Sequence, residues 1–292
     1  MGFPNLVLPF SETLIAKLSG RVLAVRVDDP SGVLRAAECV RSSANRLSMV
    51  IMDSRTPLDE VPFDDAWAGI KLAVFAPKMG QFRGLARRLR TIRELNPMIY
   101  LSADDPGNLT ALRILSSVNV RSAAVFGDRG PVDWEGLADL MTYALATTVP
   151  HGTIEPFSTI AGRYQSDGWI EWGPVFFDDP KDFLHLDPDG RIALSRRELM
   201  DKSFIEDDIG RLDEVIDSEA CRQRIDVRRR LFLEYHPCSR CPGWKVCMGK
   251  FARNGTDRTG CAAFAVEMIA LMDDLDKRRE EPGKDRHDHR HI

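Results

Sequence analysis

The sequence predicts an α/β protein in two parts. The first, residues 1–150, is an open or partial barrel of about five to six βα units. The second, residues 151–278, is a smaller unit built around a cysteine-held metal centre, and a charged tail covers residues 279–292. Three observations lead there. Short apolar runs recur about every 25 residues with amphipathic stretches between them, which is the pattern of βα units and a parallel sheet. The periodicity then gives way to an aromatic-rich region near residue 151, and four of the six cysteines fall within residues 238–261.

Taken in order, the expected strands are Val22–Val27, Ser48–Met52, Ile70–Phe75, Met98–Leu101 and Ala123–Phe126. Each is rich in Val, Ile, Leu or Met and ends at acidic or turn-forming residues. Helical patterns occupy Gly32–Ser43, Gln81–Glu94, Leu109–Val118 and Trp134–Thr148. In the second of these, Phe82, Leu85, Ala86 and Leu89 share one face and arginines the other, so a solvated basic face is expected. Five units fall short of a complete eight-unit barrel of about 250 residues. Pro150-His151-Gly152 marks a boundary. Beyond it, Asp187-Pro188-Asp189-Gly190-Arg191 reads as a hairpin turn, Gly210–Ala220 as an acidic helix and Ala262–Arg278 as an amphipathic helix.

With 40 Lys+Arg against 44 Asp+Glu and a net charge of −4, no overall positive field draws the chain to nucleic acid. No apolar run approaches the roughly 20 residues that span a bilayer, and the first residues do not read as a secretory signal. A soluble, cytoplasmic protein without nucleic-acid or membrane partners is expected.

Cys238, Cys241, Cys247 and Cys261 follow the spacing Cys-x2-Cys-x5-Cys-x13-Cys. Two thiolates three positions apart can turn around one centre, Pro242 and Gly243 supply a tight reversal, and a thiolate near a helix N-terminus, as at Cys261, is favoured electrostatically. Four thiolates suit a [4Fe–4S] cluster or a Cys₄ zinc site. The single Cys-x2-Cys knuckle with one distal cysteine favours iron–sulfur, and zinc is the alternative.

The C-terminal half resembles a SPASM domain, the auxiliary-cluster extension of radical S-adenosylmethionine enzymes that modify peptides and proteins. The resemblance rests on the Asp187–Arg191 hairpin, on Ile209-Gly210-Arg211-Leu212 through Asp217-Ser218, and on the cysteine run, about 80 residues in all. It implies cluster ligation by Cys238, Cys241, Cys247 and Cys261. Full SPASM domains carry two clusters. Here the ligands of the first are missing, with Ser195 near one expected position and Phe251 at another, so one cluster is implied. The radical enzymes also carry a three-cysteine loop after the first barrel strand, which would fall near Asp28–Arg35; no cysteine lies there. Of the Gly-Gly-Glu-Pro motif after the second strand, Ser54-Arg55-Thr56-Pro57-Leu58 keeps only Pro-Leu. The resemblance therefore implies a pseudo-enzyme: a non-catalytic accessory subunit that carries one cluster and partners a radical S-adenosylmethionine enzyme or a peptide or protein substrate.

Two alternatives stay open, a zinc-stabilised scaffold and an enzyme using Asp28, Asp53 and Asp104 (with Asp29) at the barrel mouth. Cys39 and Cys221 are expected to be inert buried thiols. His287, His289 and His291 belong to the charged tail, and His236 stands beside the first cluster cysteine. Trp169, Trp172, Phe176 and Phe177 are a candidate contact surface or packing between the two halves.

Overall fold

A computed structural model describes residues 3–126, 132–165, 168–226, 237–251 and 258–280. The strands are β1 (Asn5–Pro9), β2 (Val22–Val27), β3 (Arg46–Asp53), β4 (Leu72–Ala76), β5 (Met98–Ser102), β6 (Ser122–Val125), β7 (Ile154–Glu155), β8 (Phe183–Leu186) and β9 (Ile192–Ala193). The helices of the first part are α1 (Glu12–Ala16), α2 (Gly32–Arg41), α3 (Phe82–Ala86), α4 (Leu89–Leu95), α5 (Pro106–Ser117) and α6 (Trp134–Ala146). They are followed by α7 (Phe157–Arg163), α8 (Gly173–Phe176), α9 (Arg196–Met200), α10 (Leu212–Ile216), α11 (Glu219–Ile225), α12 (Trp244–Cys247) and α13 (Arg258–Glu280).

All nine strands join one sheet in the order β7-β6-β5-β4-β3-β2-β1-β8-β9. From β1 to β7 every neighbouring pair is parallel and the strands lie in chain order, without the reversal that makes a doubly wound sheet. Residues beyond 150 extend this same sheet at both margins. β7 lies beside β6, while β8 pairs parallel to β1 and turns into antiparallel β9. The β8–β9 turn is held by Asp187, whose carboxylate accepts from the backbone of Asp189 and Arg191 and from the Arg191 side chain. Gly190 sits there at φ +89°, a conformation glycine adopts without a Cβ clash.

Alternation along the strands separates two faces. One carries Leu8, Val25, Val50, Val74 and Leu101 into a core shared with helices α1–α6. The opposite face, with Val7, Ala24, Ile51, Ala73, Tyr100, Ala123 and Phe183 of β8, packs against Phe177, and the Tyr100 hydroxyl donates to Val175 of α8.

Three expectations change. β1 was not among the expected strands. The helix expected over Gln81–Glu94 is two short helices, because the Arg88 guanidinium turns inward to the carbonyls of Asp59 and Val61 (2.6 and 2.7 Å), breaking the pattern between α3 and α4. The helix expected over Gly210–Ala220 divides at Ser218, whose hydroxyl caps the start of α11 by accepting from Cys221 N–H.

Candidate functional site

Two clusters of polar side chains bear on function: the cysteine segment, and the C-terminal ends of the parallel strands.

In the cysteine segment, a short 3-10 turn over Pro237–Arg240 carries Cys238, and the amide of Cys241 closes the knuckle by donating to the Cys238 carbonyl at 3.0 Å. The chain then passes through Gly243 into α12, which ends at Cys247. Gly243 is required by contact: a Cβ at this position would stand 2.3 Å from the Ala265 Cβ on α13. The knuckle is thereby seated directly against the helix that carries Cys261. Met248 and Gly249, both at positive φ, reverse the chain after α12. That reversal brings the Phe251 amide to the Cys247 sulfur, where it donates at 3.3 Å.

Cys247 is buried, and Cys238, Cys241 and Cys261 are half-buried. The Cys247 thiol is raised well above its ordinary range, first by its hydrogen bond with Cys261 and then by burial, with Cys238 close enough to add to the electrostatic cost. Cys247 is thus in contact with Cys261 and senses Cys238, while Cys241 is joined to Cys238 through the backbone of the knuckle. As the side chains stand, the described residues contain no group of three or more His, Cys, Asp or Glu that could hold a metal ion. Around the thiols stands an aromatic shell. Phe251 packs on Phe126, Trp172 and Phe264, and Trp172 donates its indole N–H to the Val246 carbonyl at 3.1 Å. Phe264, Met268 and Met272 form the buried stripe of α13.

Other sequence-picked residues have ordinary roles. Ser195 caps α9 by accepting from Glu198 N–H, and Phe251 is a fully buried core residue. Cys221 is buried and Cys39 half-buried, and burial pushes both thiols up. His236 and the charged tail from residue 281 lie outside the described residues. Of the aromatic segment, Trp172 and Phe177 are buried and Phe176 half-buried. Only Trp169 is exposed, so these rings chiefly pack the two parts together.

At the strand ends, Asp28 and Asp29 follow β2, Asp53 closes β3 and Asp104 follows β5. Asp28 faces Arg55 in solvent, and Asp29 caps the entry to α2 with its carboxyl held below the usual range, chiefly by the Ser31 hydroxyl. Asp53 is different: Arg26 grips one carboxylate oxygen (2.5 Å) and Arg196 the other (3.1 Å). The Arg196 guanidinium lies 4.7 Å from the centre of the Phe75 ring, which stacks at 4.3 Å on Tyr100. Tyr100 in turn donates its hydroxyl to the Val175 carbonyl.

His185, on β8, donates Nε2–H to the Phe177 carbonyl at 2.7 Å, leaving Nδ1 buried with no partner among the described residues. Burial lowers its pKa to about 4, so the ring is neutral. Lys250, three residues past Cys247, reaches Asp178 at 3.3 Å and so connects the cysteine segment to this end of the sheet. Of these residues the sequence reading reached Asp28, Asp29, Asp53 and Asp104 and, among the rings, Phe177, but not Arg26, Arg196, His185 or Lys250. The available signal was Arg26, a charge inside the apolar run Val22–Val27. No family model, curated protein or solved structure matches the chain.

Proposed function

We propose that the chain is a non-catalytic accessory subunit of the radical S-adenosylmethionine type: a partial-barrel scaffold with a SPASM-like unit that holds one [4Fe–4S] cluster through Cys238, Cys241, Cys247 and Cys261, and that partners a radical enzyme acting on a peptide or protein. The Cys247–Cys261 contact, with the Phe251 amide donating to the Cys247 sulfur, carries the reading. Amide donors to thiolate sulfur and a largely buried, aromatic surround are what tune and protect such centres. The donor set, all sulfur, fits in chemistry. When bound, a cluster of this kind supplies one-electron transfer or a fixed local surface.

What the chain itself does follows from its residues. Gly243 presses the knuckle onto α13, and Trp172 ties α12 to the segment that covers the sheet. Phe251 stands where the resembled domain carries a further cysteine, and Ser195 lies near another such position. At the strand ends, where an α/β sheet normally takes its ligand, Arg26, Asp53 and Arg196 occupy one another and Phe177 covers the face beside them. This favours a supporting role over chemistry at Asp28, Asp53 and Asp104.

Anaerobic purification with iron, sulfide and zinc analysis tests the reading. Cys241→Ala and Cys238→Ala, at half-buried positions, are expected to lose the iron and the brown chromophore, while Cys39→Ala keeps both. With a reductant, the protein alone is expected to release no 5′-deoxyadenosine from S-adenosylmethionine. Full iron in Cys241→Ala overturns the assignment, and stoichiometric zinc in place of iron replaces it with the structural zinc site.

A further inference from the structure

At the opposite end of the sheet, where β3 and β4 begin, lies a cavity of about 410 Å³ between the end of α2, the first residues of β3 and the turn before β4. Three cations line it: Arg41, Arg46 and Lys71. No acidic residue does, although the chain as a whole carries a net charge of −4. None of the three side chains makes an ion pair or hydrogen bond among the described residues, whereas Arg21, whose amide donates to Asn45 beside them, is paired with Asp213.

The frame beneath the cations is fixed. Asn45 donates to the carbonyls of Ile15 and Leu18 and accepts from the Arg21 amide, which sets the path of the chain into Arg46. The Lys71 carbonyl accepts from Val50 N–H at 2.9 Å. Gly69, at φ +78°, leaves open space where a side chain would stand. The lining has no aromatic ring to stack a base and only Leu47 as a large apolar wall.

We infer that this cavity binds a compact, multiply charged phosphoryl anion, with Arg41 and Arg46 as forked donors and Lys71 as a point charge. Three like charges gathered without a counter-ion repel one another, and a di- or trianion reverses the sign of that interaction. The site is remote from the cysteines and from Asp53, and its occupancy does not depend on the cluster.

The test is calorimetric titration of the full chain with inorganic pyrophosphate at fixed ionic strength, with glycerol phosphate as a parallel arm to separate free from esterified phosphate. Saturable binding is expected in at least the pyrophosphate arm, weakened roughly tenfold by Arg46→Ala and again by Lys71→Ala. Both substitutions are at exposed positions and leave the thermal midpoint unchanged. Cys241→Ala, which tests the cluster, leaves the affinity unchanged. No saturable heat in either arm, an affinity indifferent to both substitutions, or an equal response to chloride at matched ionic strength overturns the inference.

Discussion

Asp53→Ala removes the one carboxylate that Arg26 and Arg196 share, and its cost follows from the geometry. The three side chains retain 19%, 22% and 34% exposure for Arg26, Asp53 and Arg196, so none is fully dry. Stripping one partner from a fully buried ion pair costs about 3–5 kcal/mol, because a charge is left uncompensated. Exposed pairs are worth about 0–1 kcal/mol. An arrangement between these limits, in which one deletion orphans two cations, gives about 2–3 kcal/mol. Desolvation already pushes the Arg196 pKa down from its ordinary value and Asp53 opposes that shift, so Arg196 bears the larger share of the loss. Chemical denaturation of wild type, Asp53→Ala, Arg196→Ala and the double variant forms the assay. In the cycle, Arg196→Ala recovers part of the Asp53→Ala loss, with a coupling of about 1–2 kcal/mol. A thermal midpoint lower by roughly 3–5 °C accompanies the single variant. A loss for Asp53→Ala within about 0.5 kcal/mol of zero, the range of ordinary surface substitutions, refutes the reasoning.

Two further perturbations are decisive for particular contacts. His185 titrates at about 4 in the folded chain against an ordinary value of 6.5. The unfolded chain therefore binds the extra proton between those values, and stability present above pH 6.5 is lost as pH falls towards 4. Between pH 7 and pH 5 the loss is about 2 kcal/mol by urea unfolding, and His185→Asn abolishes that component; an unchanged pH slope in the variant shows that His185 is not its source. Gly243→Ala drives a methyl into Ala265 and costs about 1–3 kcal/mol, with reduced occupancy of the proposed cluster. Ala265→Gly in the same chain restores both, and failure of that rescue means the knuckle does not rest on α13 at this point.

The parallel strands β2 to β6 were legible because each is an apolar run closed by acidic or turn-forming residues, and β2 runs from Val22 to Val27 as expected. β1 was missed because Asn5–Pro9 is only five residues, preceded by Pro4 and ending in Pro9, too short to show a period. Helix interruptions at Arg88 and Ser218 were missed for a different reason: the first is imposed by a tertiary contact and the second by a local cap within an acidic stretch. The clustering of Cys238, Cys241, Cys247 and Cys261 is plain in the sequence, whereas the Cys247–Cys261 contact and the Phe251 amide on the Cys247 sulfur are visible only in the fold. The Asp53 arrangement was not, since residues 26, 53 and 196 meet only after β8 has docked and α9 has followed it, and nothing in the spacing of an isolated arginine announces its partner. The buried state of Trp172 and Phe177 was likewise a matter of what covers the sheet, which composition cannot supply.

The pairing of β1 with β8 bears on how the chain is made. Asn5 holds the Asp182 carbonyl with both its amide and its side chain, across 177 positions. During synthesis at about 5–20 residues per second, the outer edge of β1 waits roughly 9–35 s for its neighbour to emerge. Throughout that interval the row Leu6-Val7-Leu8 has one side unpaired. A nascent chain halted near residue 150 keeps that edge open indefinitely, so ribosome-associated chaperones are expected to hold the stalled product and release it once residues 183–186 have been translated.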